Sequence, residues 1–198
     1  MTRSDFSRQT LTALPNVLTY LRMATIPGIV LFLTPPASET SLNLAFILFV
    51  LACITDYLDG ILARRHNLVT SLGKLLDPLA DKLLTSAVLI MLVSLGKIQG
   101  WLVFLIIGRD ITITGLRSIA ASQGLILNAS RMGKNKMISQ TVGIIFLLLS
   151  IPDIQWVLDI LGLFFLWVSL ILGYWSARDY FLVFYRELKQ QEKHADLR

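Results

Sequence analysis

Long apolar stretches recur along the whole sequence, separated by short turn-rich pieces. A helix that crosses a bilayer needs about 20 mostly apolar residues. Stretches of roughly this kind occupy residues 15–34, 42–63, 76–96, 100–121, 136–152 and 155–177. Only 16% of the 198 residues are charged, against about 25% in soluble domains. The pattern predicts an all-α, polytopic membrane protein with six transmembrane helices.

The positions of the basic residues predict the orientation of these helices. Among the 18 Lys and Arg residues, Lys97 alone is assigned to the side opposite to the two ends of the chain. Because cytoplasmic loops are rich in Lys and Arg, we expect a multi-pass protein of the cytoplasmic (inner) membrane with both termini in the cytoplasm. The basic residues behind the net charge of +5 are then expected beside membrane lipids, and no nucleic acid is expected as a partner.

The apolar stretches also divide the chain. We expect residues 1–14 to form a cytoplasmic or interfacial segment, residues 15–178 a six-helix transmembrane catalytic domain, and residues 179–198 a cytoplasmic tail. The first helix is predicted to stay uncleaved, because "TPPASE" after it is a poor signal-cleavage site. The single cysteine, Cys53, excludes a disulfide within the chain.

Four carboxylates stand out against this apolar background: Asp56, Asp59, Asp77 and Asp81. The predicted topology places the first pair at the cytoplasmic end of helix two and the second pair at the cytoplasmic start of helix three. Spacings of three and four put each pair on one helix face. An unpaired carboxylate in hydrocarbon is costly, so such residues face a bundle interior or a watery cavity. We therefore expect a cytoplasm-facing cavity at this depth.

Carboxylates that lie so close together repel one another unless a cation lies between them. Hard oxygen ligands favour Mg²⁺, Mn²⁺ or Ca²⁺. Mg²⁺ commonly takes one or two carboxylates and completes its shell with water and substrate phosphate. Four aspartates therefore favour two metal ions and a phosphate-bearing ligand, although a divalent-cation carrier also places carboxylates inside a membrane.

Three neighbours of the first pair fit such a ligand. At about 100° per residue, Gly60 and Ala63 share the stripe of Asp56 and Asp59, with Arg64 at its margin. The two small residues leave room for the ligand, and a guanidinium binds phosphate through paired hydrogen bonds.

The run Asp56-x2-Asp59-Gly60-x2-Ala63-Arg64-x8-Gly73-x3-Asp77-x3-Asp81 resembles, without a gap or substitution, the signature of the CDP-alcohol phosphatidyltransferases. The resemblance implies a dimeric membrane fold of six helices with a cytoplasm-facing active-site cavity. It also implies that Mg²⁺ or Mn²⁺ assists an alcohol in attacking a CDP-linked lipid, with CMP as the leaving group.

The same resemblance implies roles for single residues. Asp81 is expected to be the general base, and the two metal sites are expected to share the four aspartates: Asp56, Asp59 and Asp77 for one ion, and Asp56, Asp77 and Asp81 for the other. The positions expected to bind the CDP-lipid are Gly60, Arg64 and Thr70, with Ala63 and Gly73 leaving room for the nucleotide.

Around this core the chain resembles one subfamily, the bacterial phosphatidylglycerophosphate synthases. The similar segments are "LPNVLTYLR", "GRDITITGLR" and "GKNKMISQTVG". In the first of them, Asn16, Thr19 and Arg22 form one polar stripe on helix one. We expect this stripe to contact the CDP diphosphate; a helix–helix hydrogen bond beside a snorkelling arginine is the alternative.

A second set of basic residues predicts the site of the acceptor. Arg109 lies inside helix four, where an unpaired guanidinium is costly. Asp110 is expected on a different face, so Arg109 should reach a core carboxylate or a bound phosphate. With Arg117, Lys134 and Lys136 it forms a basic site for a phosphorylated alcohol. Glycerol 3-phosphate fits this site, and inositol phosphate or another alcohol is the alternative acceptor. For the two lysines, contact with anionic lipid is an alternative role.

The sequence thus predicts an enzyme of phospholipid biosynthesis with CDP-diacylglycerol and glycerol 3-phosphate as substrates. Membrane lipids and a second copy of the chain, in a homodimer, are the other expected partners.

Overall fold

The computed structural model describes residues 14–66, 71–122 and 131–195, and side chains within 20–58, 79–122 and 131–186. These residues form six α-helices and no strand, so the predicted all-α class is confirmed. The helices are α1 (Leu14–Phe32), α2 (Glu39–His66), α3 (Ser71–Ser94), α4 (Gly100–Ser122), α5 (Arg131–Leu148) and α6 (Gln155–Ala195). A 3₁₀ turn, Pro152–Ile154, leads into α6.

The helices extend beyond the apolar stretches that predicted them. Helix α2 ends at His66, α3 begins at Ser71, and α6 runs for 41 residues to Ala195. The part of α6 that follows the apolar stretch is rich in Glu, Leu, Lys and Gln. These residues are good helix formers, so the helix continues after the apolar stretch ends. The predicted tail after residue 178 is therefore helical as far as Ala195, while the division of the chain into segments stays a prediction.

Two helical segments among the described residues are long and apolar enough to cross a membrane by themselves. They are Glu39–Leu58 of α2 and Pro152–Arg186, most of which belongs to α6; Tyr20–Phe32 of α1 is a shorter apolar segment. Helices α3, α4 and α5 carry charged side chains within their length, which lowers their hydropathy. Six membrane spans thus stay a prediction.

The helices share one large apolar core. Helix α1 packs against both α2 and α3, and α5 and α6 form the most extensive helix pair. The core cluster includes side chains from every helix, among them Ile29, Phe49, Leu89, Leu102, Leu147 and Leu166. At one end of the bundle, Lys97 Nζ donates hydrogen bonds to the Leu147 carbonyl (2.8 Å) and to Asp159 (3.2 Å). This ion pair fixes the loop between α3 and α4 to α5 and α6.

Helices α5 and α6 touch through their backbones at Gly143 and Gly162. A Cβ atom added to Gly143 would lie 2.9 Å from the carbonyl oxygen of Gly162 and 3.1 Å from Leu166. Small residues allow this close approach of helices in a membrane. The contact fixes how α5 and α6 lie relative to each other.

Replacing Gly143 with alanine should therefore destabilise the protein, because the helix backbones must move apart. We expect a loss of about 1–3 kcal/mol, as for overpacked cores, measured as a lower Tm in detergent. Gly115→Ala is the control, since a Cβ there meets nothing within 4 Å. Equal Tm values for the two variants would contradict the backbone contact.

Candidate active site

The structure describes the side chains of seven predicted site residues: Arg22, Asp56, Asp81, Arg109, Arg117, Lys134 and Lys136. The other nine lie outside the described side chains: Asn16, Thr19, Asp59, Gly60, Ala63, Arg64, Thr70, Gly73 and Asp77. Within the described part, no three His, Cys, Asp or Glu side chains form a cluster that could hold a metal ion. Because Asp59 and Asp77 fall outside it, the four-aspartate metal site stays a prediction.

Arg22 of α1 forms an ion pair with Asp56 of α2. One guanidinium nitrogen lies 2.5 Å from a carboxylate oxygen, and the Arg22 side chain is 1% exposed against 40% for Asp56. The contact lacks the geometry of a hydrogen bond, and the buried guanidinium nitrogens have no hydrogen-bond partner among the described residues. Arg22 therefore keeps N–H donors for oxygen atoms of a ligand.

Asp81 of α3 connects this pair with a second group of charges. Its carboxylate interacts electrostatically with Asp56 and Arg22, and also with Lys136 and Lys82. The backbone around it is held by Thr85, whose hydroxyl donates to the Asp81 carbonyl at 2.9 Å. Asp81 also lines a cavity of about 180 Å³ between α3, α4, α5 and α6.

The cavity wall contains all four residues that the sequence assigned to the acceptor. Arg109 and Arg117 come from α4, and Lys134 and Lys136 from the first turns of α5. The other residues of the wall are Lys82, Thr85, Asp110, Ile113, Thr114, Gly133, Met137, Gln140, Thr141 and Tyr180. The structure thus brings the Asp81 carboxylate and the basic cluster to one small space.

Asp110 is the centre of the basic cluster. One of its oxygens accepts a hydrogen bond from Arg109 Nη1 at 3.1 Å, and the other accepts one from Lys136 Nζ. Arg109 Nε donates to the Gly173 carbonyl of α6 at 2.9 Å. The expectation that Asp110 is not the partner of Arg109 is therefore wrong. Neighbouring positions diverge by about 100° on a helix, but the long arginine arm folds back and spans that angle.

The network leaves positive charge available to a ligand. Two cations share the single carboxylate of Asp110, and Arg109 Nη2 is buried without a hydrogen-bond partner among the described residues. Arg117 and Lys134 add exposed positive charges at the same wall. A phosphate monoester, which carries about −1.5 to −2 charges at neutral pH, suits this arrangement.

Sequence reasoning missed Lys82, Gln140 and Tyr180 in this wall. Gln140 follows Lys136 by four residues, so helical spacing places both on one face of α5. Lys82 follows Asp81 directly, and its Nζ reaches the Asp110 carbonyl at 3.4 Å. No comparable spacing points to Tyr180, which α6 brings to the cavity from 40 residues further along the chain.

Comparison with known proteins identifies the family. The model of the CDP-alcohol phosphatidyltransferase family matches residues 12–175, a region that includes the aspartate signature and both groups of charges. The chain belongs to the CDP-alcohol phosphatidyltransferase family. The family membership that the aspartate signature predicted is confirmed.

Several relatives of this CDP-alcohol phosphatidyltransferase carry one name. A Bacillus subtilis protein called CDP-diacylglycerol–glycerol-3-phosphate 3-phosphatidyltransferase is 37% identical over 89% of this chain and 97% of its own length. A Rickettsia bellii protein of the same name is 38% identical over 85% of this chain and 93% of its own. A Mycobacterium tuberculosis protein named as a probable phosphatidylglycerophosphate synthase is 39% identical over 66% of this chain and 63% of its own.

Asp110→Ala should test the buried network. Removing the shared carboxylate leaves two adjacent buried cations, and breaking a buried pair costs about 3–5 kcal/mol. The Tm should fall, and inorganic phosphate should raise the Tm of the variant more than that of the wild type, because the anion replaces the lost charge. Asp153→Ala, at an exposed position at the other end of the bundle, is the control; an equal effect of both substitutions would contradict the pairing.

Proposed function

We propose that the protein transfers the phosphatidyl group of CDP-diacylglycerol to sn-glycerol 3-phosphate, giving phosphatidylglycerophosphate and CMP. It is a transferase of phospholipid biosynthesis, as its family and the names of its relatives indicate. The observation that carries the proposal is the cavity in which Asp81 lies beside Arg109, Arg117, Lys134 and Lys136.

The basic wall supports a phosphorylated acceptor. Serine and choline carry no phosphate and would leave the excess positive charge of the wall unbalanced. Glycerol 3-phosphate supplies that charge at one end and a reactive hydroxyl at the other. Inositol phosphate shares both features, so the preference for glycerol 3-phosphate rests on the names of the relatives.

Asp81 is the proposed general base. A carboxylate within reach of the acceptor hydroxyl removes its proton as the oxygen attacks the phosphorus of the phosphatidyl group. The bond between that phosphorus and the bridging oxygen then breaks, and the electron pair leaves with CMP. The phosphate of the acceptor, held by the basic wall, orients the hydroxyl towards Asp81, and such positioning lowers the barrier further.

In this proposal the donor, CDP-diacylglycerol, and the metal ions bind beside the aspartates. The half-exposed carboxylate of Asp56 and the cavity-lining Asp81 offer hard oxygen donors, which fit Mg²⁺ or Mn²⁺. Two ions held by Asp56, Asp59, Asp77 and Asp81 would neutralise the pyrophosphate and stabilise the leaving CMP. Arg22, with its unused donors, would bind the diphosphate. The remaining proposed contacts to the CDP-lipid are Asn16, Thr19, Gly60, Ala63, Arg64, Thr70 and Gly73.

We also propose a membrane arrangement of six spans in the cytoplasmic membrane, with both termini and the active site in the cytoplasm. Large apolar side chains on α6, including Phe164, Ile171 and Trp175, are exposed on the single chain. Such a surface suits lipid or a second copy of the chain better than water. A homodimer is part of the proposal.

The test measures the release of CMP from CDP-diacylglycerol by the purified protein in the presence of Mg²⁺. Four conditions are compared: glycerol 3-phosphate, inositol phosphate, serine and no acceptor. We expect release only with glycerol 3-phosphate, and a loss of about 10²–10⁴-fold in Asp81→Asn, the usual contribution of a general base. Asp153→Asn should retain activity. Release with inositol phosphate instead would overturn the acceptor. Absence of release with any acceptor, together with Mn²⁺ flux into liposomes, would favour a carrier.

Arg22→Lys should separate the two substrates. Lysine keeps the positive charge beside Asp56 but loses the paired donors that fit a diphosphate. The KM for CDP-diacylglycerol should rise about tenfold or more, whereas the KM for glycerol 3-phosphate should stay nearly constant. Arg178→Lys, at an exposed position on α6, is the matched control. Equal increases in both KM values would contradict a role in binding the donor.

A further inference from the structure

Gln140 is a buried polar residue that the proposed reaction does not yet use. It lies on α5, one turn after Lys136, and its side chain is 4% exposed. It lines the same cavity as Asp81 and Arg109. The adjacent Ser139 lies on a different face of the helix, where its hydroxyl donates to the Phe165 carbonyl of α6 at 2.9 Å.

The carboxamide oxygen of Gln140 has no hydrogen-bond partner among the described residues. Burying an amide group without a partner is costly, and a buried polar group left in this state calls for an explanation. Because the side chain lines the cavity, a molecule bound there can supply the missing hydrogen bond. An amide suits a hydroxyl group well, since it can both donate to and accept from it.

Two hydroxyl groups of the wall already donate hydrogen bonds to backbone carbonyls. The Thr85 hydroxyl donates to the Asp81 carbonyl, and the Thr114 hydroxyl donates to the Asp110 carbonyl at 2.7 Å. The cations of the wall match the phosphate, and Asp81 matches the reacting hydroxyl. Glycerol 3-phosphate has one further polar group, the hydroxyl at its second carbon.

We infer that Gln140 hydrogen-bonds the non-reacting hydroxyl of the acceptor and thereby selects a phosphorylated vicinal diol. The inference rests on the proposed function, because it assumes that this cavity binds glycerol 3-phosphate. It makes Gln140 a specificity residue: a site built to hydrogen-bond a hydroxyl rejects an analogue that lacks it, since the buried carboxamide oxygen then stays unpaired.

The test compares glycerol 3-phosphate with 3-hydroxypropyl phosphate, which keeps the phosphate and the reacting hydroxyl but lacks the second one. For the wild type, we expect kcat/KM for the analogue to be at least about tenfold lower. Gln140→Leu should lose a similar factor with glycerol 3-phosphate and stay within about threefold of the wild type with the analogue. The preference between the two acceptors should therefore disappear in the variant.

Ser169→Ala is the control, because Ser169 is fully buried and its hydroxyl has no hydrogen-bond partner in the described part of the chain, but it does not line the cavity. It should keep the wild-type preference. Equal losses with both acceptors in Gln140→Leu would show a structural role and overturn the inference. If the leucine variant does not fold, the wild-type protein still provides a test. Equal kcat/KM values of the wild type for the two acceptors would also overturn the inference. Failure of the proposed function is a separate result: no CMP release by the wild type with glycerol 3-phosphate.

Discussion

Asp110 carries a single negative charge at the point where α4, α5 and α6 meet, and two buried cations depend on it. Arg109 reaches from Asp110 to the Gly173 carbonyl of α6, and Lys136 approaches from α5. Without the carboxylate, the two cations would repel each other in surroundings that solvate charge poorly. The cavity keeps its basic character because this pairing is incomplete: one carboxylate balances only one of the two positive charges.

This polar network needs a rigid apolar frame. The close backbone contact between Gly143 and Gly162 fixes α5 against α6, and the same two helices carry Lys136 and Gly173 about two to three turns away. The Lys97–Asp159 ion pair fixes the opposite end of the bundle. A shift of α6 along α5 would separate the Gly173 carbonyl from Arg109. The geometry of the basic cavity wall therefore depends on packing between residues that do not line the cavity.

The sequence predicted the helices and the basic cluster because both follow from local rules. Apolar stretches of membrane length indicate helices, and a buried arginine needs a partner or a ligand, which led to Arg109 and its neighbours. The partner itself was missed, since helical spacing describes where the backbone points a side chain and not how far a long arm can bend. The predicted helix ends differ from the observed ones because the helices continue past the apolar stretches, through polar residues that are good helix formers. Tyr180 was beyond reach because its place in the cavity wall depends on tertiary packing between α4 and α6. Gln140 follows Lys136 at helical spacing, but its missing hydrogen bond is visible only in three dimensions.

The length of α6 has a kinetic consequence. Its 41 residues span about 60 Å, roughly twice the hydrocarbon thickness of a bilayer. In the proposed topology the surface of the hydrocarbon crosses α6 near Tyr180, beside the cavity. The two substrates then meet without changing phase: the donor diffuses in two dimensions and the acceptor in three. The turnover per enzyme should accordingly follow the mole fraction of CDP-diacylglycerol in the bilayer and not its bulk concentration. Diluting the donor with inert lipid should therefore slow turnover, whereas diluting the vesicles at a constant glycerol 3-phosphate concentration should not.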